Sequence, residues 1–219
     1  MTIPDAFLIG KLVDENGLPP HSASFTLVTE GEFHGQHGFG RIQGDHRCGP
    51  DGTFTSPPLR PGEYFLRFLG ILRAPAFEEE REFKQQRVFD FIYPNASTVT
   101  EALPFEVKGG ETVNVDVQIP KPVWFNIAGR VKMGSPIEQR NVHVMFARNM
   151  GILPDVGGTG FPVKSDGSFE GMLLGGSYAA SLHEMTDPEP SGYTRSAKQF
   201  GSTVVIIQRD TLNLQLLML

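Results

Sequence analysis

One ordered set of short signatures occurs twice in this chain, and that repetition limits the fold more than any other feature of the sequence. The first copy runs Gly10-Lys11-Leu12-Val13, then Ser24-Phe25-Thr26-Leu27, then Pro50-Asp51-Gly52-Thr53-Phe54, then Pro61-Gly62-Glu63-Tyr64-Phe65-Leu66. The second runs Gly129-Arg130-Val131, then Val142-His143-Val144-Met145-Phe146, then Ser165-Asp166-Gly167-Ser168-Phe169, then Gly175-Gly176-Ser177-Tyr178-Ala179-Ala180. The pairs 10 and 129, 51 and 166, and 64 and 178 keep a nearly constant offset. With 219 residues, each copy has room for one small domain of roughly 100 residues. The break falls at Pro120-Lys121-Pro122, a short and stiff linker. The expected domains are therefore 1–120 and 121–219.

Each copy reads as a set of short strands. FLIGKLV (Phe7–Val13), SASFTLV (Ser22–Val28), YFLRFLG, VNVDVQI (Val113–Ile119) and LNLQLLM are bounded by Gly, Pro, Asn and Asp. Ala23, Phe25 and Leu27 alternate with Ser24 and Thr26; Val113, Val115, Val117 and Ile119 alternate with polar residues; Leu212, Leu214, Leu216 and Met218 do the same. A period of two is the mark of a half-buried strand, and many short strands with regular turn signals predict a sandwich or barrel. Each Asp-Gly suits a tight hairpin turn and sets the Phe two residues later in register for the core. Seventeen Phe against one Trp and four Tyr predict cores built on Phe. Only Phe77–Arg87 has a helix-like composition; its poor capping signals favour an exposed hairpin or loop, with room for one helical turn.

These signatures resemble the carboxypeptidase regulatory-like domain, whose pattern is G-x-V, a turn, an alternating strand, D-G-x-F and P-G-x-Y. It appears as GKLVDENG, SFTLV, DGTF and RPGEY, then as GRV, VHVMF, DGSF and GGSY; the second copy departs with Gly-Gly for Pro-Gly and with the turn KMGSPIEQ. The resemblance implies an all-β chain of two tandem Ig-like or transthyretin-like antiparallel β-sandwich domains. It also implies a module without catalysis, serving as an appendage of enzymes, a link in surface proteins or a carbohydrate-binding-like fold.

A net charge of −6 disfavours nucleic acid and anionic membrane surfaces, both of which call for basic stripes. The single Cys48 excludes an intrachain disulfide and leaves the compartment open. The start, MTIPDAFLIGKLVDENG, lacks a basic stretch followed by an apolar one, so no signal peptide is expected in it, and no apolar run reaches membrane-spanning length. A strand pattern within six residues of Met1 fits a piece of a longer secreted, periplasmic or surface precursor.

Several constellations bear on chemistry. His34, His37, His46 and Cys48 share one Gly-rich stretch and are zinc-ligand types, but their spacing matches no zinc pattern, so a polar insertion is the expectation. Tyr64, Tyr93, Tyr178 and Tyr193 invite comparison with intradiol dioxygenases, which hold iron with Tyr and His on a related sandwich. The repeat-equivalence of Tyr64 and Tyr178 points instead to rings in the core with hydroxyls bonded to backbone. Glu184 with Pro190-Ser191-Gly192-Tyr193 resembles the ending of collagen-adhesin B-type repeats, which form Lys–Asn isopeptide bonds; Lys132 and Asn213 would then be the partners, against the plainer reading of a loop with two exposed polar residues. The Glu78-Glu79-Glu80 run lacks the spacing of a calcium loop. G-x-S-x-G and P-loop motifs are absent.

The sequence thus predicts a structural or interaction module with no enzyme activity, cofactor or metal. Its partner is a protein or polysaccharide, or a second copy if the last strand, Leu212–Leu219, lies at a sheet edge. The alternatives are a carbohydrate-binding module that uses Phe33, Phe39 and Tyr93, marked by coplanar exposed rings, and a metalloprotein or sandwich-fold enzyme.

Overall fold

The computed structural model describes residues 5–33, 35–42, 44–72, 88–133, 141–153, 158–185 and 196–218. These residues are arranged in β-strands, with a short 3-10 turn at Val99–Glu101. The helix-like stretch Phe77–Arg87 lies outside them. Contacts divide the chain into two compact units, Met1–Lys121 with Gly151–Pro154, and Pro122–Met150 with Asp155–Leu219.

The first unit is a two-layer β-sandwich. One layer places β1 (Phe7–Val13) between β5 (Thr53–Thr55) and β9 (Thr112–Gln118). The other is built on β2 (Ser22–Phe33), which pairs with β3 (Gln36–Arg41), β4 (His46–Arg47) and β6 (Gly62–Leu72). There β6 also pairs with β7 (Phe89–Ile92) and β8 (Phe105–Val107). The second unit repeats the plan. β10 (Trp124–Met133) lies between β14 (Ser168–Leu174) and β17 (Thr211–Met218). The facing sheet has the order β13 (Thr159–Pro162), β11 (Val142–Arg148), β15 (Gly176–Met185), β16 (Ser196–Ile207).

The repeat signatures each carry out one structural task. In the first unit Gly10 is the register partner of Phe54 on one side and Val115 on the other. In the second, Gly129 is the partner of Phe169 and Leu214. A Cβ on Gly10 would fall on the Val115 carbonyl oxygen and 2.7 Å from the Phe54 ring. On Gly129 it would fall on the Leu214 carbonyl oxygen and 2.8 Å from the Phe169 ring. The G-x-V glycine is therefore the socket into which the D-G-x-F ring packs.

The Asp-Gly turns are also equivalent. Gly52 N–H donates to the Gly49 carbonyl and Gly167 N–H to the Lys164 carbonyl, each at 2.8–2.9 Å, with φ at 83° and 82°. Asp51 accepts from the Thr53 backbone N–H and hydroxyl, and Asp166 from the same two groups of Ser168. These bonds to the ionised form hold both carboxyls below the usual carboxylate range.

The third signature is the tyrosine. Tyr64 donates its hydroxyl to the Arg60 carbonyl at 2.7 Å, and Tyr178 donates to the Leu174 carbonyl at 2.9 Å. Both rings are buried. This is the core-ring, backbone-bonded role that repeat-equivalence predicted. Tyr178→Phe and Tyr64→Phe are each expected to cost about 1–2 kcal/mol, since a carbonyl is left without its donor. Urea unfolding followed by fluorescence measures it.

Phe supplies the cores. In the first, Phe54 packs on Phe25 and Phe68 at 5.3 and 5.4 Å, and Phe68 on Phe91 at 5.2 Å. In the second, Phe146 meets Phe161, Phe169 and Tyr178 at 5.9–6.2 Å, among Val144, Ala180, Leu182 and Leu216.

Four findings depart from the sequence reading. The sandwiches are not wholly antiparallel, because β1 runs parallel to β9 and β10 parallel to β17. Residues Gly151–Pro154 group with the first unit, where β12 (Ile152–Leu153) adds in parallel to the edge of β3. Strand β2 is not half-buried: Thr26 and Val28 are buried as fully as Phe25 and Leu27. In β17 the apolar face breaks phase. Thr211 pairs with Ile127 but Leu214 with Gly129, so β17 carries one extra residue there, and Leu212 is 59% exposed while Leu216 is 2% exposed.

Candidate functional site

The Gly-rich stretch does not assemble a ligand set from its described members. His34 lies outside the described residues. His37 on β3 is opposite Glu32 of β2, whereas His46 on β4 is opposite Phe25. Seven residues of strand separate those positions, about 23 Å at the usual rise. His37 sits beside Glu30, its Nδ1 3.9 Å from the carboxylate, and the His46 ring packs on Phe25 at 5.4 Å. Among the described residues no group of three or more His, Cys, Asp or Glu converges as a metal site would.

Cys48 follows β4, its backbone N–H bonded to the Ala23 carbonyl at 3.0 Å, and burial pushes its thiol up to about 11. Only the thiolate is a good nucleophile. Cys48 in the native chain is therefore expected to react with a disulfide reagent at pH 8 at least ~10-fold more slowly than in urea, where the thiol returns to about 8.5. Equal rates in the two conditions would show that the thiol is not shielded.

The isopeptide arrangement is not met by its named members. Lys132 and Asn213 are both exposed. Lys132 pairs with Leu217, four residues along β17 from Asn213, or about 13 Å of strand. Glu184 belongs to the facing sheet, opposite Val142 and Lys198. The segment Pro190–Tyr193 lies outside the described residues.

Of the loop aromatics, Phe33 covers Gly40, and the Phe39 ring makes an edge contact with Phe65 at 5.4 Å. Both are engaged with their own sheet, and the coplanar exposed trio is not formed. Tyr93 is different. It borders a cleft of about 570 Å³ in the first unit. The Tyr93 backbone N–H donates to the Leu66 carbonyl at 2.8 Å, and Phe105 backs the ring at 4.9 Å.

The same cleft is lined by Asp116 and Gln118, which project from the outward face of β9, whose inward residues Val115, Val117 and Ile119 are buried. Asn95 and Lys121 extend the rim, and Pro94, Ile119 and Pro120 complete the lining. Glu15 comes from the turn after β1. There the buried Asp14 carboxylate accepts from the Asn16 and Leu18 N–H groups at 2.8 and 2.9 Å and fixes the loop. Asn95, Asp116, Gln118 and Lys121 are exposed, and their side chains make no hydrogen bond or ion pair within the described chain. Tyr93 stands out in the sequence as a loop aromatic, whereas its polar partners do not. Their alternation with Val115 and Val117 marks only an outward face, and the turn that brings Glu15 near is a tertiary fact.

A cross-strand pair, His143 opposite His183, was not anticipated either. The His143 Nε2 lies 3.2 Å from Asn141 Oδ1, and the His183 Nε2 lies 2.8 Å from the Ser181 hydroxyl. The His143 Nδ1 faces Gly160 on β13, on the side away from His183. Burial lowers both imidazoles below their ordinary value, so they favour the neutral form. The pair is part of the sheet surface rather than a chelating site.

No family model matches the chain, and no curated protein does. Solved structures overlap it distantly. The Bacillus anthracis TIE protein is similar at 15% identity and a TM-score of 0.29, over 98% of this chain and 34% of its own. A streptococcal ancillary pilin is similar at 14% and 0.37, over 100% and 64%. GBS52, the minor pilin of Streptococcus agalactiae, is similar at 14% and 0.40, over 98% and 95%. The chain thus spans about a third of the first of these and under two thirds of the second. At such scores the all-β fold rests on the strand pairing of the chain itself.

Proposed function

We propose that this chain is a non-catalytic spacer of a secreted or surface protein, built to carry tension along its length. The observation behind this reading is the pairing of first and last strands. In the first unit β1 and β9 run parallel over seven register pairs, from Phe7↔Thr112 to Val13↔Gln118. In the second, β10 and β17 run parallel from Ile127↔Thr211 to Met133↔Met218. When the entering and leaving strands are parallel neighbours, pulling on the ends loads the whole ladder in shear. An antiparallel pair would open one bond at a time. The resemblance to carboxypeptidase regulatory-like modules, the mild negative charge and the absence of an intrachain disulfide all agree with such a role.

Single-molecule pulling tests it on the full chain, with Cys48 replaced by Ser. Handles at the two termini are expected to give a rupture force several times that found with handles at the N-terminus and a Gly109→Cys anchor. The second geometry grips β1 and β9 at the same end and unzips them. Equal forces would remove the load-bearing reading.

A route to self-assembly also exists. β17 has β10 as its only strand partner among the described residues, and Leu212 and Leu217 are exposed on it. Light scattering that finds a strict monomer at high concentration would remove that part of the proposal.

A further inference from the structure

We propose that the cleft beside Tyr93 in the first unit is a binding site for a short neutral saccharide. This is a separate activity from load-bearing and does not depend on it. A sugar ring presents an apolar C–H face and a rim of hydroxyls that both donate and accept. The cleft offers the complement. The Tyr93 ring, backed by Phe105 at 4.9 Å, forms a flat and pre-positioned wall. Around it stand two amides, Asn95 and Gln118, which donate and accept, a carboxylate, Asp116, which accepts, and an ammonium, Lys121, which donates. None of these four spends its capacity inside the described chain. A volume of about 570 Å³ lies within the usual range of small-molecule sites, about 300–1,000 Å³.

Other ligand classes fit worse. A phosphate or acidic sugar would meet the Asp116 carboxylate, which offsets Lys121, the one cation among the described residues that line the cleft. A purely apolar ligand would strand the polar rim, and unpaired polar groups are costly to cover. An extended proline-rich peptide could lie on Tyr93, but it carries no row of donors to use Asp116. A polyhydroxyl ligand uses Asn95, Asp116, Gln118 and Lys121 together.

The test is titration of the full ¹⁵N-labelled chain with cellobiose, lactose, mannobiose and chitobiose up to tens of millimolar. The side-chain amide signals of Asn95 and Gln118 are the readout. At least one disaccharide is expected to shift both in a saturable way. Gln118→Ala and Asp116→Asn, both at exposed positions, are each expected to weaken it about fivefold, the scale of one hydrogen bond. Tyr93→Phe keeps the ring and most of the affinity, whereas Tyr93→Leu keeps the packing on Phe105 and loses most of it.

Four results would overturn the proposal. One is the absence of a saturable shift with all four sugars. The second is a shift indifferent to Asp116→Asn and Gln118→Ala. The third is a response to glucuronic acid or to a proline hexapeptide but to no neutral disaccharide. The fourth is equal affinity in Tyr93→Phe and Tyr93→Leu.

Discussion

Gly129→Ala is expected to destabilise the second sandwich by about 3 kcal/mol or more, a large share of the roughly 5–15 kcal/mol available to a domain. Gly10→Ala should do the same to the first. The cause is crowding from two directions. A new methyl at either position meets a backbone carbonyl of the parallel neighbour and an aromatic ring of the antiparallel one. A ring can rotate away, but a carbonyl held in a ladder can move only with its strand.

That difference yields a sharper expectation. Shrinking the ring, as in Phe169→Leu, should not rescue Gly129→Ala, because the Leu214 carbonyl remains. The double variant should be worse than either single. Gly17→Ala is the control. Gly17 has φ 78° and open space around it, so only the backbone conformation is penalised, at about 1 kcal/mol. Urea midpoints for Gly10→Ala, Gly129→Ala, Gly17→Ala and the double variant settle the order. A Gly129→Ala protein as stable as Gly17→Ala would mean that the glycine is not the socket for the ring.

The same glycines show why much of the fold was legible. A repeat exposes positions where two independent stretches needed the same solution, and here those positions are the socket, the turn and the tyrosine. Their local chemistry predicts their role: Asp-Gly makes the turn, and a buried Tyr seeks an acceptor. What escaped reading depends on partners distant in sequence. Thr26 reads as the polar side of an alternating strand, yet it is wholly buried, because Arg67 stands opposite it and that face is covered too. Leu212 reads as core, yet the extra residue in β17 shifts it outward. The parallel course of β1 with β9 has no trace in either strand, since alternation is blind to direction. The cleft was half visible: one aromatic could be named, but not the β9 side chains and the Glu15 turn gathered round it.

Arg67 carries the second large expectation. It is 6% exposed and stands opposite the likewise buried Thr26 of β2. Its guanidinium donates to Asp90 Oδ2 at 2.9 Å, and Asp90 Oδ1 accepts from the Gly70 N–H at 2.9 Å, beside the β6 bulge between Phe68 and Ile71. The Arg67 Nε is buried with no partner. A buried pair of this kind gives back in attraction about what it lost in hydration, whereas removing one partner strands the other. Asp90→Asn keeps an acceptor for Gly70 but removes the charge, and is expected to cost about 3 kcal/mol. Arg67→Met leaves the Asp90 carboxylate without its cation, but that carboxylate is 32% exposed and keeps the Gly70 N–H, so the cost should be smaller than that of Asp90→Asn, about 1–2 kcal/mol.

The decisive variant is the pair. If the cost of Asp90→Asn comes from a stranded guanidinium, adding Arg67→Met should restore most of the lost stability, so the double variant unfolds later in urea than Asp90→Asn alone. If instead the two residues act independently, the losses add and the double variant unfolds first. Only the first order of midpoints agrees with a cation held in the sheet by a single carboxylate.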